Sequence, residues 1–240
     1  MPLLLEKLRE EPFSLALSSG FFGFYAHAGL LSALEDHGLT PSLVTGSSAG
    51  ALAGGLWAAG VSAQTMSRVL CELERRDFWD PGVGLGLLRG RLFRERLEKL
   101  LPVSAIEDAG VPLAISVFDI LGRRTVVRKR GSVAAAIHAS CALPGLFHPV
   151  WLERRPYSDG GILDRPGWLG LDSETFTLAH HLPSRGNRPL TRRPRTTVVT
   201  VRELPLVTPF SLRRGNEAFA TARRAAQKAL ATAIADVLTV

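Results

Sequence analysis

Residues 44–56, VTGSSAGALAGGL, run from a short apolar segment through Gly46-Ser47-Ser48-Ala49-Gly50 into a series of small residues. Ser42-Leu43-Val44-Thr45 reads as a short strand. Leu52, Leu56 and Trp57 read as a helix that continues to about Ala59 and is ended by Gly60. A Gly-x-Ser-x-Gly block between a strand and a helix has the context of a nucleophile elbow. Glycines two before and two after the serine remove Cβ atoms that would collide with the neighbouring strand and helix. The position between Gly46 and Gly50 selects Ser48 over Ser47. Its hydroxyl stands at a helix N-terminus, where the dipole favours an anion, and the Ala49 N–H points to the same place. The competing reading is a tight turn ahead of a closely packed helix.

Outward from this block, strands alternate with helices. Phe13–Leu17 is a strand entering the loop Ser18-Ser19-Gly20, and Ala26–His37 is a helix with Leu30, Leu31 and Leu34 on one face, stopped at Gly38. Residues 63–101 read as helical with a Gly-rich break at Gly82–Gly90, which reads as a surface loop, with a flap over a site as the alternative. Val111–Asp119 and Thr125-Val126-Val127 read as a strand pair joined by a tight turn. A short helix follows over Ser132–Ala139, and a strand over Thr197–Val201. Ser173–Pro194 is the candidate irregular excursion. Glu217–Val237 reads as an amphipathic helix packing through Leu230, Ile234 and Val237. The alternation predicts a three-layer α/β/α fold with a mainly parallel central sheet, in one domain over residues 1–240.

Composition narrows the function classes. A chain of 240 residues that is 46% hydrophobic can bury one sizeable core. The two uncharged stretches Ser14–Leu34 and Leu39–Ser67 are studded with Gly, Ser and Thr, unlike a membrane-spanning helix. The N-terminus carries charges from Glu6 to Glu11 and lacks the apolar region of a secretory signal. Cys71 and Cys141 match no metal or redox spacing and suit a reducing, cytoplasmic setting. The net charge of +7 is dispersed and not interleaved with aromatics, so nucleic acid is not expected as a partner. Weak peripheral attraction to an anionic membrane is compatible with it. No cluster has ligand spacing, so neither a metal nor an organic cofactor is expected.

A nucleophilic serine needs a base. His180 or His181 would suit a Ser-Asp-His order, but their surroundings show no loop signature. Asp159, in Ser158-Asp159-Gly160-Gly161, is the stronger candidate, because Gly160 and Gly161 allow close backbone approach and aim the carboxylate. An exposed aspartate is a weak base near pKa 3.9, and burial is what would raise its basicity.

Three blocks taken together resemble the bacterial patatin-like phospholipases, from about Phe13 to Phe219. They are residues 15–39, LALSSGFFGFYAHAGLLSALEDHGL; the GSSAG elbow; and residues 138–161, HASCALPGLFHPVWLERRPYSDGG. The resemblance implies a lipid acyl hydrolase in which Ser48 and Asp159 form a catalytic dyad working through an acyl-enzyme. The first block departs from the family pattern: only Gly20 stands where the leading glycines stand, and Gly23 replaces an arginine. Backbone donors do not depend on side-chain identity, so an oxyanion hole from Gly20, Phe21 and Phe22, with Ala49, remains available. His27 and Cys141 are expected to be packing residues. The implied partner is a lipid or acyl-ester substrate. The alternative from another class is a lipid- or acyl-binding protein of the same fold without turnover. A phosphate cradle at GSSAG lacks the lysine such sites carry.

Overall fold

The computed structural model describes residues 2–183 and 193–240. In chain order the elements are α1 (Leu4–Glu10), β1 (Phe13–Leu17), α2 (Phe24–Asp36), β2 (Leu43–Ser47), α3 (Ala49–Ala58), α4 (Ala63–Cys71), β3 (Gly86–Leu88), α5 (Arg91–Leu100), β4 (Leu113–Asp119), β5 (Arg124–Arg128), α6 (Val133–Ser140), β6 (Gly145–Phe147), β7 (Val150–Leu152), β8 (Arg155–Asp159), β9 (Phe176–His181), β10 (Thr196–Thr200), α7 (Gly215–Leu230) and β11 (Val237–Thr239). A nine-stranded sheet of order β11-β10-β9-β1-β2-β4-β8-β7, with β5 also on β4, runs through the molecule. Neighbours from β11 to β4 are parallel, and β5, β8 and β7 join antiparallel.

Strand alternation divides the sheet into two unlike faces. Phe13, Leu15 and Leu17, Val44, Leu113, Ile115 and Val117, Phe176 and Leu178, and Val199 belong to one large apolar cluster with the helices α2, α3, α6 and α7. Their neighbours on the opposite face are small or polar. There Ala16, Ala179 and Val198 meet Trp168 and Leu171, and the Thr45 hydroxyl donates to the Gly167 carbonyl at 2.9 Å. The fold is therefore the three-layer α/β/α class with a mainly parallel sheet, its second outer layer reduced to the 3-10 turn Gly160–Ile162 and the segment that follows. The uncharged stretches 14–34 and 39–67 are buried strand–helix units of this core. No helix among the described residues is long and apolar enough to cross a membrane.

One pairing detail positions the site. β4 uses residues 113–116 to pair with β2 and residues 117–119 to pair with β8, while β5 occupies its other edge from Ile115 to Asp119. β2 runs parallel to β4 and β8 antiparallel, so the two strands lie on the same edge and meet C-terminus to C-terminus. Ser47 pairs with Ser116 and Asp159 with the next residue, Val117.

Four expectations are corrected. Residues Ser173–Pro194 are not one irregular excursion, because Phe176–His181 forms β9 between β1 and β10, buried on both faces as strands inside a parallel sheet are; residues 184–192 lie outside the described residues. The run 63–101 is α-helical only as α4 and α5, with a single 3-10 turn over Arg75–Asp77. Between them the Asp80 carboxylate accepts from the N–H groups of Gly90, Arg91 and Leu92 and so begins α5. The Gly82–Gly90 break contains β3, which pairs in parallel with β6 and buries Leu88. The C-terminal helix ends at Leu230, and Val237 is an exposed residue of the edge strand β11 instead of a helix-face contact.

Candidate active site

Ser48 is the turn between β2 and α3, with φ 52° and ψ −117°. A non-glycine residue with positive φ is held at a cost of about 1–3 kcal/mol and persists only where its surroundings dictate it. They do so here. A Cβ on Gly46 would lie 2.6 Å from the Gly50 backbone, and one on Gly50 would overlap the Leu17 carbonyl, so the elbow closes only with glycine at both places. The Ser48 N–H donates to Ser140 Oγ at 2.9 Å, and that hydroxyl donates onward to the Ser116 carbonyl at 2.7 Å. Ser140 is fully buried and ties the turn to α6 and β4 together.

The Ser48 hydroxyl donates to Asp159 Oδ2 at 2.6 Å, and the Gly161 N–H donates to Oδ1 at 2.8 Å. Asp159 is 5% exposed. Burial raises its pKa from the usual 3.8 to about 6, against the pull of the hydrogen bonds from Ser48 and Gly161. Gly160 lies against the Ser116 carbonyl and Gly161 against Ser19, so the Asp-Gly-Gly turn is pressed onto the first loop as well as the elbow.

The first loop supplies donors. Ser19 N–H is bound by the Arg165 carbonyl at 2.8 Å, and Gly23 N–H by the Gly20 carbonyl at 2.9 Å. Phe22 has φ 52°. Among the described residues the N–H groups of Gly20, Phe21 and Phe22 have no acceptor, nor does that of Ala49 at the start of α3.

His27, His180 and His181 do not line the cavity. His27 Nε2 is 2.8 Å from the Ser18 carbonyl, which only accepts, so Nε2 carries the proton and Nδ1 accepts from His180 Nδ1–H at 3.0 Å. Burial holds the pKa of His27 down to about 4, and burial also holds His180 well below its usual value. The pair is neutral and braces the strand end that carries Ser18. Cys141 sits beside the elbow, its Sγ donating to the Ser48 carbonyl at 3.2 Å, and burial with the nearby Asp159 charge pushes its thiol pKa up.

A cavity of about 400 Å³ opens in front of Ser48 and Asp159. Its walls are mostly apolar: Leu52 and Leu56 one and two turns along α3, Leu70, Phe78, Phe93 and Leu97. Phe21, Phe22 and Phe24 line it without closing it, with ring pairs Phe21–Phe22 and Phe22–Phe24 at 4.9 and 5.5 Å. Among the described residues no group of three or more His, Cys, Asp or Glu is arranged to hold a metal ion. A strained serine bonded to a buried carboxylate, four free backbone donors and an apolar cavity can together attack an ester carbonyl and hold the charge that develops. Ser140 and the cavity walls were not singled out from the sequence. A serine within Ala-Ala-Ala-Ile-His-Ala-Ser is the kind of buried polar residue that demands a partner, and that was the available signal.

The Patatin-like phospholipase family model matches residues 15–172. An uncharacterized NTE family protein of Mycobacterium bovis is 33% identical over 163 residues, covering 63% of this chain and 43% of that protein. A yeast protein named lysophospholipase NTE1, of Scheffersomyces stipitis, is 28% identical over 164 residues, covering 65% of this chain and 11% of its own length. The chain thus spans less than half the length of these relatives. Among solved structures, VipD from Legionella pneumophila superposes with a TM-score of 0.59 at 18% identity, covering 80% of this chain and 50% of that one.

Proposed function

We propose that this chain, which belongs to the patatin-like phospholipase family, hydrolyses carboxylic esters of lipids with Ser48 as nucleophile and Asp159 as its base. Asp159, ionised, takes the proton as Oγ of Ser48 attacks the ester carbonyl. The N–H groups of Gly20, Phe21, Phe22 and Ala49 hold the oxyanion. The carbonyl–oxygen bond of the leaving alcohol breaks, and the alcohol takes the proton from Asp159. Water then attacks the acyl-enzyme and gives a proton to Asp159, which passes it to Ser48 Oγ as the Oγ–acyl bond breaks and the fatty acid is released. A carboxyl with a pKa of about 6 is a far better base than an exposed aspartate, and is still ionised at neutral pH.

The observation that carries this reading is the 2.6 Å bond between Ser48 Oγ and Asp159 Oδ2 in the wall of an apolar cavity. The partly exposed Phe21, Leu143 and Ile162 in that wall suit peripheral contact with a lipid surface. The test is a fluorophosphonate probe on the purified protein, with the adduct located by peptide mass spectrometry. Labelling at Ser48, lost in Ser48→Ala and sharply reduced in Asp159→Asn, is the expected result. A folded protein that takes no label would instead be an acyl-binding protein without turnover.

A further inference from the structure

Four charged residues line the cavity: Asp77, Arg96, Asp159 and Arg165. Two of them pair with each other, Arg96 Nη1 lying 3.2 Å from Asp77. Asp159 is bound by Ser48 and Gly161. Arg165 is left over. Among the described residues its guanidinium has no ion-pair or hydrogen-bond partner, and its Nε is buried without one. The first loop cannot answer it, because Ser14–Leu34 contains no charged residue.

The backbone on either side of Arg165 is fixed. Its carbonyl accepts from Ser19 N–H, and Pro166 follows it. The preceding Asp164 is buried and accepts from Ser116 Oγ at 2.6 Å, Trp168 N at 2.9 Å and Leu169 N at 3.0 Å. A planar, permanently charged fork is therefore mounted on a pinned segment between the loop that carries the free N–H groups and the turn that carries Asp159. Its charge is not spent on Asp159, whose carboxyl answers to burial, Ser48 and Gly161; it is felt by His181, whose pKa it helps burial to lower. An arginine in such a place is suited to a planar or tetrahedral oxyanion brought in with the substrate.

We propose that Arg165 receives the phosphate of an ester lipid whose acyl chain fills the cavity, and so selects phosphate-bearing over neutral esters. This rests on the hydrolase reading. The phosphate stays on the leaving alcohol throughout, so Arg165 is a specificity residue and exchanges no proton.

The experiment compares kcat/KM for lysophosphatidylcholine and a monoacylglycerol with the same acyl chain, on wild type, Arg165→Gln and Arg165→Lys. The ratio of the two values should fall about 10- to 100-fold in Arg165→Gln, the range that charge-assisted hydrogen bonds to a phosphate supply, with part of it recovered in Arg165→Lys. A ratio that does not move, with both substrates affected alike, overturns the proposal. Calorimetric titration of the wild-type protein with the non-hydrolysable ether analogues of both lipids, and with inorganic phosphate, needs neither turnover nor a folded variant. The phosphate-bearing ether should bind more tightly than the neutral ether and more tightly than inorganic phosphate. Equal binding of the two ethers, or inorganic phosphate binding as tightly as the ether lipid, overturns the headgroup assignment. If wild type hydrolyses neither ester, the hydrolase reading falls, while the titrations still decide whether Arg165 reads a phosphate.

Discussion

Replacing Asp159 with asparagine removes a buried charge while keeping the shape of the side chain and its capacity for hydrogen bonds with Ser48 and Gly161. The carboxyl titrates at about 6 in the folded protein against a usual 3.8, because burial disfavours its ionised form. A folded-state pKa raised in this way stabilises the wild type fully below pH 3.8, and that contribution is lost as pH rises through 6. The full loss is about 3 kcal/mol. Linkage places roughly 1 kcal/mol of it below pH 4.5, leaving about 2 kcal/mol between pH 4.5 and 7.5. Asparagine does not titrate, so Asp159→Asn should gain about 2 kcal/mol relative to wild type between those two pH values. Urea unfolding of both proteins at each pH measures it. With a slope of about 3 kcal/mol per molar, the midpoints should separate by roughly 0.7 M more at pH 7.5 than at pH 4.5. Any hydrogen-bond loss from the substitution is an offset common to both pH values and drops out. A gap that does not change with pH, or that favours the wild type more strongly at pH 7.5, would refute the claim that Asp159 is held as a buried base.

Under the proposed mechanism the same carboxyl sets the pH profile of hydrolysis, and kcat/KM for a nitrophenyl ester should rise through an apparent pKa near 6 and level off above it. Ser140→Ala strands the Ser48 N–H and the Ser116 carbonyl in a buried site; it should cost about 2 kcal/mol and lower the melting temperature by roughly 4–8 °C, as read by calorimetry. Cys141, with its thiol pKa raised by burial, should stay unalkylated by iodoacetamide at pH 8 in the native protein and become labelled in urea, as peptide mapping would show.

Much of the fold was legible because local signals and tertiary demands coincide. Phe13–Leu17, Leu43–Ser47 and Leu113–Asp119 are apolar runs bounded by turn residues, and all three are interior strands. The GSSAG block and the Asp-Gly-Gly turn named the two residues that the structure brings to 2.6 Å, because glycine at those places answers a local steric need. β9 was less visible. Two adjacent histidines read as polar, yet His180 is buried through a hydrogen bond to a residue 153 positions away, which no window of sequence contains. The short strands β3, β6, β7 and β8 are 3–5 residues long and owe their form to pairing partners instead of periodicity. Arg165 carries no motif at all. Its significance comes from the absence of a partner, and that is a property of three-dimensional surroundings.

Because β2 and β8 abut on one edge of β4, the separation of Ser48 and Asp159 is gauged by consecutive rungs of a third strand, Ser116 and Val117. β4 is thus a ruler for the chemistry, graduated in whole residues. Repacking among the helices can lower the amount of folded protein without altering that gauge. A slip of β8 by one residue, in contrast, turns Asp159 to the opposite face of the sheet and abolishes the pair outright. Under the proposed mechanism, turnover should accordingly be a digital report on strand register, lost in a single step where stability is lost by degrees.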